Sequence, residues 1–105
     1  MQIITYKDYE EALKSRKTVM MQYTASWCNP CKINAPHLKQ NAEKHEQFVN
    51  VHTVDVDHHA DIVEKEKVSS IPAILVYKDG IRTHTLLGVK AKEEIENTID
   101  MPVPV

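Results

Sequence analysis

Two cysteines, Cys28 and Cys31, are the residues whose type and spacing most plainly allow chemistry. Disulfide exchange needs a thiolate, and a thiol ionises more readily beside unpaired helix amides and the positive end of a helix dipole. A helix starting near Asn29 and Pro30, where the missing proline N–H is no loss, puts Cys28 beside such amides. Cys31 follows about one turn later, within reach of Cys28, and opens an apolar stripe. The spacing therefore assigns attack on a disulfide to Cys28 and resolution of the mixed disulfide to the shielded Cys31. Two plainer readings stand beside this one. Half a zinc site would need two more ligands, and of the six histidines (37, 45, 52, 58, 59 and 84) only His52 and His58 have finger spacing, with His52 inside a strand-like run and not on a helix, so no metal is expected. Alternatively, the pair is inert, since free cysteine is often simply core.

The elements that must position this pair follow from hydrophobic periodicity. Residues 18–25 read as a buried strand, with Val19, Met21, Tyr23 and Ala25 on one face and Met20, Gln22 and Thr24 on the other. Within Ser26 to Phe48, Cys31, Ala35, Leu38, Ala42 and His45 recur at steps of three and four as one helical face, and Pro36 predicts a kink. Upstream, Gln2 to Thr5 predicts a short strand. Thr5 and Asp8 have capping-box spacing for a helix that packs Tyr9, Ala12 and Leu13 and ends near Arg16. Downstream come strands over Val49–Val56, Ala73–Tyr77 and Ile81–Leu87, a charged helix over Ala60–Lys67, and a final helix carrying Ala91, Ile95 and Ile99. Asp79-Gly80 between two strands is a hairpin signal. Such alternation predicts an α/β fold, a central mixed sheet of four to five strands with helices on both faces. One domain is expected over residues 1–100, with 101–105 a short frayed tail.

Composition narrows the function classes. A chain of 105 residues buries roughly two-thirds of its unfolded surface, enough for a core without staples. Thirteen basic against 15 acidic side chains leave no basic field for nucleic acid. No run of about 18 apolar residues predicts a membrane span. Residues 1–8 lack a basic stretch followed by an apolar one, so no secretory signal is expected and the address is cytoplasmic. The four methionines are unclustered and read as core filler, not copper ligands.

With Trp27-Cys28-Asn29-Pro30-Cys31-Lys32 in view, the chain resembles the thioredoxins from Ile3 to Ile99. Ala25-Ser26-Trp27 precedes the motif and Ala35-Pro36 follows it. Asp55-Val56-Asp57, Ile71-Pro72, Lys78-Asp79-Gly80 and Gly88 also fall where that family places them. The resemblance implies a thioredoxin fold and reduction of protein disulfides, with Cys28 the exposed nucleophile and no cofactor. It implies a cis-proline at Pro72 packed against the disulfide, an Ile71 backbone that pairs with substrate, and an apolar rim of Trp27, Pro30, Ile71, Gly88 and Val89. Asn29 and Pro72 join these as substrate-binding residues. Protein disulfides, and thioredoxin reductase or an equivalent electron donor such as a ferredoxin-dependent enzyme, are the implied partners of a monomer.

The chain departs from the family pattern beside and beneath the motif. Asn29 stands where glycine is usual, Gln22 where a buried aspartate is usual, Thr53 where a lysine neighbours it, and Thr24 where many members have an aromatic. An amide cannot take the Cys31 proton, which predicts exchange through water or substrate at a reduced rate. Alternatively, Gln22 fills space and hydrogen-bonds beneath the site. Lys32 is expected either to support the Cys28 thiolate or to be solvated. His37, His45, His58 and His59 read as helix or surface residues, and Asp61 with Lys65 as a helical ion pair. A reading of another class is an interaction module that uses the rim as a scaffold, with its redox chemistry incidental.

Overall fold

A computed structural model describes residues 2–101. Its elements are α1 (Tyr6–Ala12), β1 (Thr18–Thr24), α2 (Cys31–Lys44), β2 (Val49–Asp55), α3 (Ala60–Glu66), β3 (Ala73–Lys78), β4 (Ile81–Leu87) and α4 (Lys92–Glu96). The strands lie in the order β2-β1-β3-β4. β1 and β2 run parallel, while β3 is antiparallel to both β1 and β4. The expected mixed sheet with helices on both faces is thus observed.

Alternation along β1 divides the core. Val19, Met21 and Tyr23 pack with Tyr9 of α1 and Ile62 of α3 on one face. On the other face Met20 packs with Leu38 of α2 and Ile95 of α4. Each such side chain contributes about 1.5–3 kcal/mol when fully withdrawn from water. The β3–β4 hairpin turns as its residues require: Asp79 has φ 54° and Gly80 φ 78°, a pair of left-handed conformations that suits the twist of the flanking strands.

Several expectations are corrected. The strand over Gln2–Thr5 reduces to one bridge, Gln2 with Thr53, and an Ile3 N–H bond to the Thr53 carbonyl at 2.8 Å. The Ile4 and Thr5 amides donate instead to the Asp8 carboxylate, because the capping box of α1 claims them. α1 closes at Leu13, short of Arg16. α2 begins at Cys31 with Pro30 as its N-cap, so Asn29 precedes the helix, which runs through Pro36. Its buried stripe is Cys31, Asn34, Leu38 and Asn41, whereas Ala35 is exposed. Ala91 is exposed as the N-cap of α4, and Ile95 and Ile99 do the packing. The Asp61–Lys65 pair is absent from the ion pairs of the described residues; Asp61 accepts the Ile62 N–H at 2.9 Å instead. Met101, expected to fray, packs against the α2–α4 core, and residues 102–105 lie outside the described ones.

Candidate active site

β1 ends at Thr24, and the chain then turns tightly, the Cys28 N–H bonding the Ala25 carbonyl at 3.1 Å. Pro30 already has helical dihedrals, φ −60° and ψ −29°, so the turn feeds directly into α2. Cys28 and Cys31 are joined as a disulfide, with S–S 2.18 Å and Cα atoms 5.4 Å apart. The Cys31 N–H points at the Cys28 sulfur at 3.3 Å. This is one of the amides that a helix start leaves without an intrahelical partner, and it would serve a sulfur anion in the same place.

One expectation about the pair needs correction. Cys28 is only 4% exposed and Cys31 1%, so neither is the freely exposed thiol that the resemblance implied. Both pack in a small cluster with Ala25, and Val56 and Ile71 lean against it. Cys28 remains the more accessible of the two.

Around this cluster the structure distributes the other candidates unevenly. Trp27 is 65% exposed, and its indole N–H donates to the Asp57 carboxylate at 2.9 Å. Together with Val56, Val63, Val68, Ser69, Ser70 and Ile71 it lines an open depression of about 340 Å3. The Ile71–Pro72 bond is cis, as the resemblance implied, and Pro72 is buried. Gly88 adopts φ +82°, and its N–H donates to the Pro72 carbonyl at 2.9 Å, so the loop after β4 is fastened to the proline. Asn29, Pro30 and Val89 are exposed; Ile71 and Gly88 are half-buried.

Beneath the site, Gln22 is buried and donates from its amide nitrogen to the Cys31 carbonyl at 3.3 Å. Thr53 lies opposite it in the parallel β1–β2 register. Lys32 directs its ammonium to the Asn29 side-chain oxygen at 3.5 Å. Of the histidines, His58 contacts Asp55 at 3.3 Å, and His45 pairs with Glu96 at 2.7 Å, well away from the cysteines in sequence. No group of three metal-ligating side chains occurs among the described residues. Sequence reasoning missed Asp57 as the Trp27 partner and Val63 and Val68 as groove walls. Only the position of Asp57 at the end of Asp55-Val56-Asp57 hinted at the first.

The family model described as Thioredoxin matches residues 1–101. The chain belongs to the thioredoxin family. It is 31% identical over 93 residues to a thioredoxin of Alicyclobacillus acidocaldarius, covering 89% of each chain. It is likewise 31% identical over 97 residues to a thioredoxin of Staphylococcus aureus, covering 92% of each. A mutant thioredoxin from Halobacterium salinarum superposes with a TM-score of 0.89 at 20% identity, covering 99% of this chain and 93% of that one. The oxidised mitochondrial thioredoxin 3 of Saccharomyces cerevisiae gives 0.83 at 24%, covering 93% and 91%. These two likenesses concern the fold. Family membership together with a bonded cysteine pair makes this thioredoxin-family chain a thiol–disulfide oxidoreductase.

Proposed function

We propose that the chain works as a reductant of protein disulfides, with Cys28 as nucleophile and Cys31 as resolving thiol. The observation that carries this is the Cys31 N–H aimed at the Cys28 sulfur at 3.3 Å. In the dithiol form that amide and the helix dipole favour the Cys28 thiolate. The thiolate attacks one substrate sulfur and expels the other as a thiolate. Cys31 then loses its proton and attacks the Cys28 sulfur, closing the disulfide and releasing the second substrate thiolate. Two electrons pass to the substrate. An enzyme of the thioredoxin reductase class, or an equivalent donor, returns them.

Trp27, Asn29, Pro30, Ile71, Pro72, Gly88 and Val89 are the substrate-contacting set in this reading, supported by the exposed apolar surface beside the disulfide. Gln22, Thr53 and Lys32 modulate the site. Gln22 offers no carboxylate, so the Cys31 proton leaves to water or to the departing thiolate. The chain acts as a monomer in the cytoplasm, a compartment whose poise keeps a dithiol reduced.

Insulin disulfide reduction tests the proposal, driven by dithiothreitol and separately by NADPH with thioredoxin reductase. Turnover is expected with dithiothreitol. Cys31→Ser should accumulate a covalent adduct with insulin, seen by mass spectrometry, whereas Cys28→Ser should form none. Adduct formation through Cys31 in the Cys28→Ser protein would reverse the assigned roles.

A further inference from the structure

The buried stripe of α2 carries asparagine at two positions where an apolar residue would be ordinary, and those polar groups hold one segment of the chain. Asn34 is fully buried, one turn beyond Cys31 on the same face. Its Nδ2 donates to the Gly88 carbonyl at 3.0 Å, and its Oδ1 accepts the Lys90 N–H at 2.9 Å. Only this orientation of the amide pairs a donor with an acceptor at both contacts. His37 Nδ1 meets the Lys90 carbonyl at 3.0 Å, and Asn41 Nδ2 the Lys92 carbonyl at 3.3 Å. Asn34, His37 and Asn41, at helical spacing, thus bind the backbone from residue 88 to 92.

We infer that Asn34 is a positioning residue for protein-disulfide reduction, holding Val89 at a fixed place relative to Cys31. This rests on the reading of Val89 as part of the substrate-receiving rim. Asn34 grips the backbone on both sides of Val89, through the carbonyl before it and the amide after it, as a neighbouring strand would. The Val89 side chain is left 49% exposed. Gly88 is held twice, by Asn34 through its carbonyl and by Pro72 through its N–H at 2.9 Å. The helix that carries the resolving sulfur, the cis-proline and the rim loop are therefore tied to one another by hydrogen bonds. An apolar side chain of similar volume would fill the space under the loop and fix nothing, because neither the Gly88 carbonyl nor the Lys90 amide could bond to it. Asn34 touches no reacting atom; it acts through Val89.

The test compares Asn34→Leu and Val89→Asp with the parent in steady-state insulin reduction and in exchange with cystamine, a disulfide too small to need the rim. Both variants should raise the KM for insulin, Asn34→Leu by roughly tenfold, the low end of what its two lost hydrogen bonds are worth. For Asn34→Leu, kcat and the cystamine rate should stay within about twofold of the parent. A raised KM in Val89→Asp alone overturns the inference and leaves the rim reading intact. No change in either variant removes the rim reading and the inference with it. A proportional loss with insulin and cystamine also overturns it, since Asn34 would then merely support the fold. Should Asn34→Leu not fold, amide exchange in the parent decides. The Lys90 N–H should exchange at least about a hundredfold more slowly than a free loop amide. Exchange at the free rate sinks the proposal.

Discussion

Gln22 shows how a single side chain can replace a proton carrier with a brace. Its amide donates to the Cys31 carbonyl, so the position under the resolving cysteine is hydrogen-bonded but has no basic group. Gln22→Asp is expected to speed resolution of the mixed disulfide between pH 6 and 9, because a carboxyl group there can relay the Cys31 proton. The same change should weaken the fold. Burial against a carbonyl raises the folded-state pKa of such an aspartic acid above the unfolded value of about 3.9, so the ionised fraction that can accept the proton grows as pH rises through this range. Its stability is then greatest below that value and is lost as pH rises. Single-turnover kinetics and urea titrations across this range check both halves. An unchanged resolution rate would show that proton transfer does not limit the step and that Gln22 is only a brace.

α3 is secured at its C-terminal end, just ahead of the loop that carries Ile71 and Pro72. Glu66 accepts hydrogen bonds from Tyr9 of α1, from Tyr77 of β3 at 2.7 Å, and from Arg82 of β4 at 2.8 Å. Burial alone would raise the Glu66 pKa, but the bonds from Tyr9, Tyr77 and Arg82 outweigh it and hold the carboxyl below its ordinary value. Burial likewise pushes the Tyr9 and Tyr77 hydroxyls upward, so both stay protonated donors. Because the folded-state pKa is depressed, the carboxylate's contribution is complete above about pH 4.3 and is lost on acidification through the folded value. Glu66→Gln should cost about 2–4 kcal/mol in urea unfolding at pH 7 and flatten the acid limb of the stability curve. None of this network was legible beforehand, since Glu66 reads as helix surface and its partners come from three other elements. By contrast, the Asp79-Gly80 hairpin, the Thr5–Asp8 capping box and the two faces of β1 were legible, because their causes are local. The α2 stripe was half legible: periodicity named Cys31 and Leu38, yet favoured Ala35 over Asn34 because the loop that satisfies Asn34 is distant in sequence.

Across the whole molecule, one sheet separates two cores, and both depend on groups kept neutral or dry. His52 lies on β2 opposite Met21, 7% exposed, and its ring nitrogens have no hydrogen-bond partner among the described residues. Burial lowers its pKa. The unfolded chain therefore binds a proton near pH 6.5 that the folded chain refuses, so stability is complete above that value and falls as pH drops below it. Urea midpoints of the oxidised protein should fall between pH 7.5 and 5.5. His52→Leu should shrink that fall; an equal fall in the variant would assign it to other groups. The margins of the sheet differ in kind. β4 leaves its outer edge open but carries Arg82 and His84, and a register shift between Val76 and Tyr77 bends the pairing beside it. The outer edge of β2 is instead shielded by the bond from Ile3 to Thr53, with the Ile3 side chain wholly inside. Losing those few N-terminal residues would leave the Thr53 carbonyl without its Ile3 partner and bare that margin to pairing with a strand from another molecule.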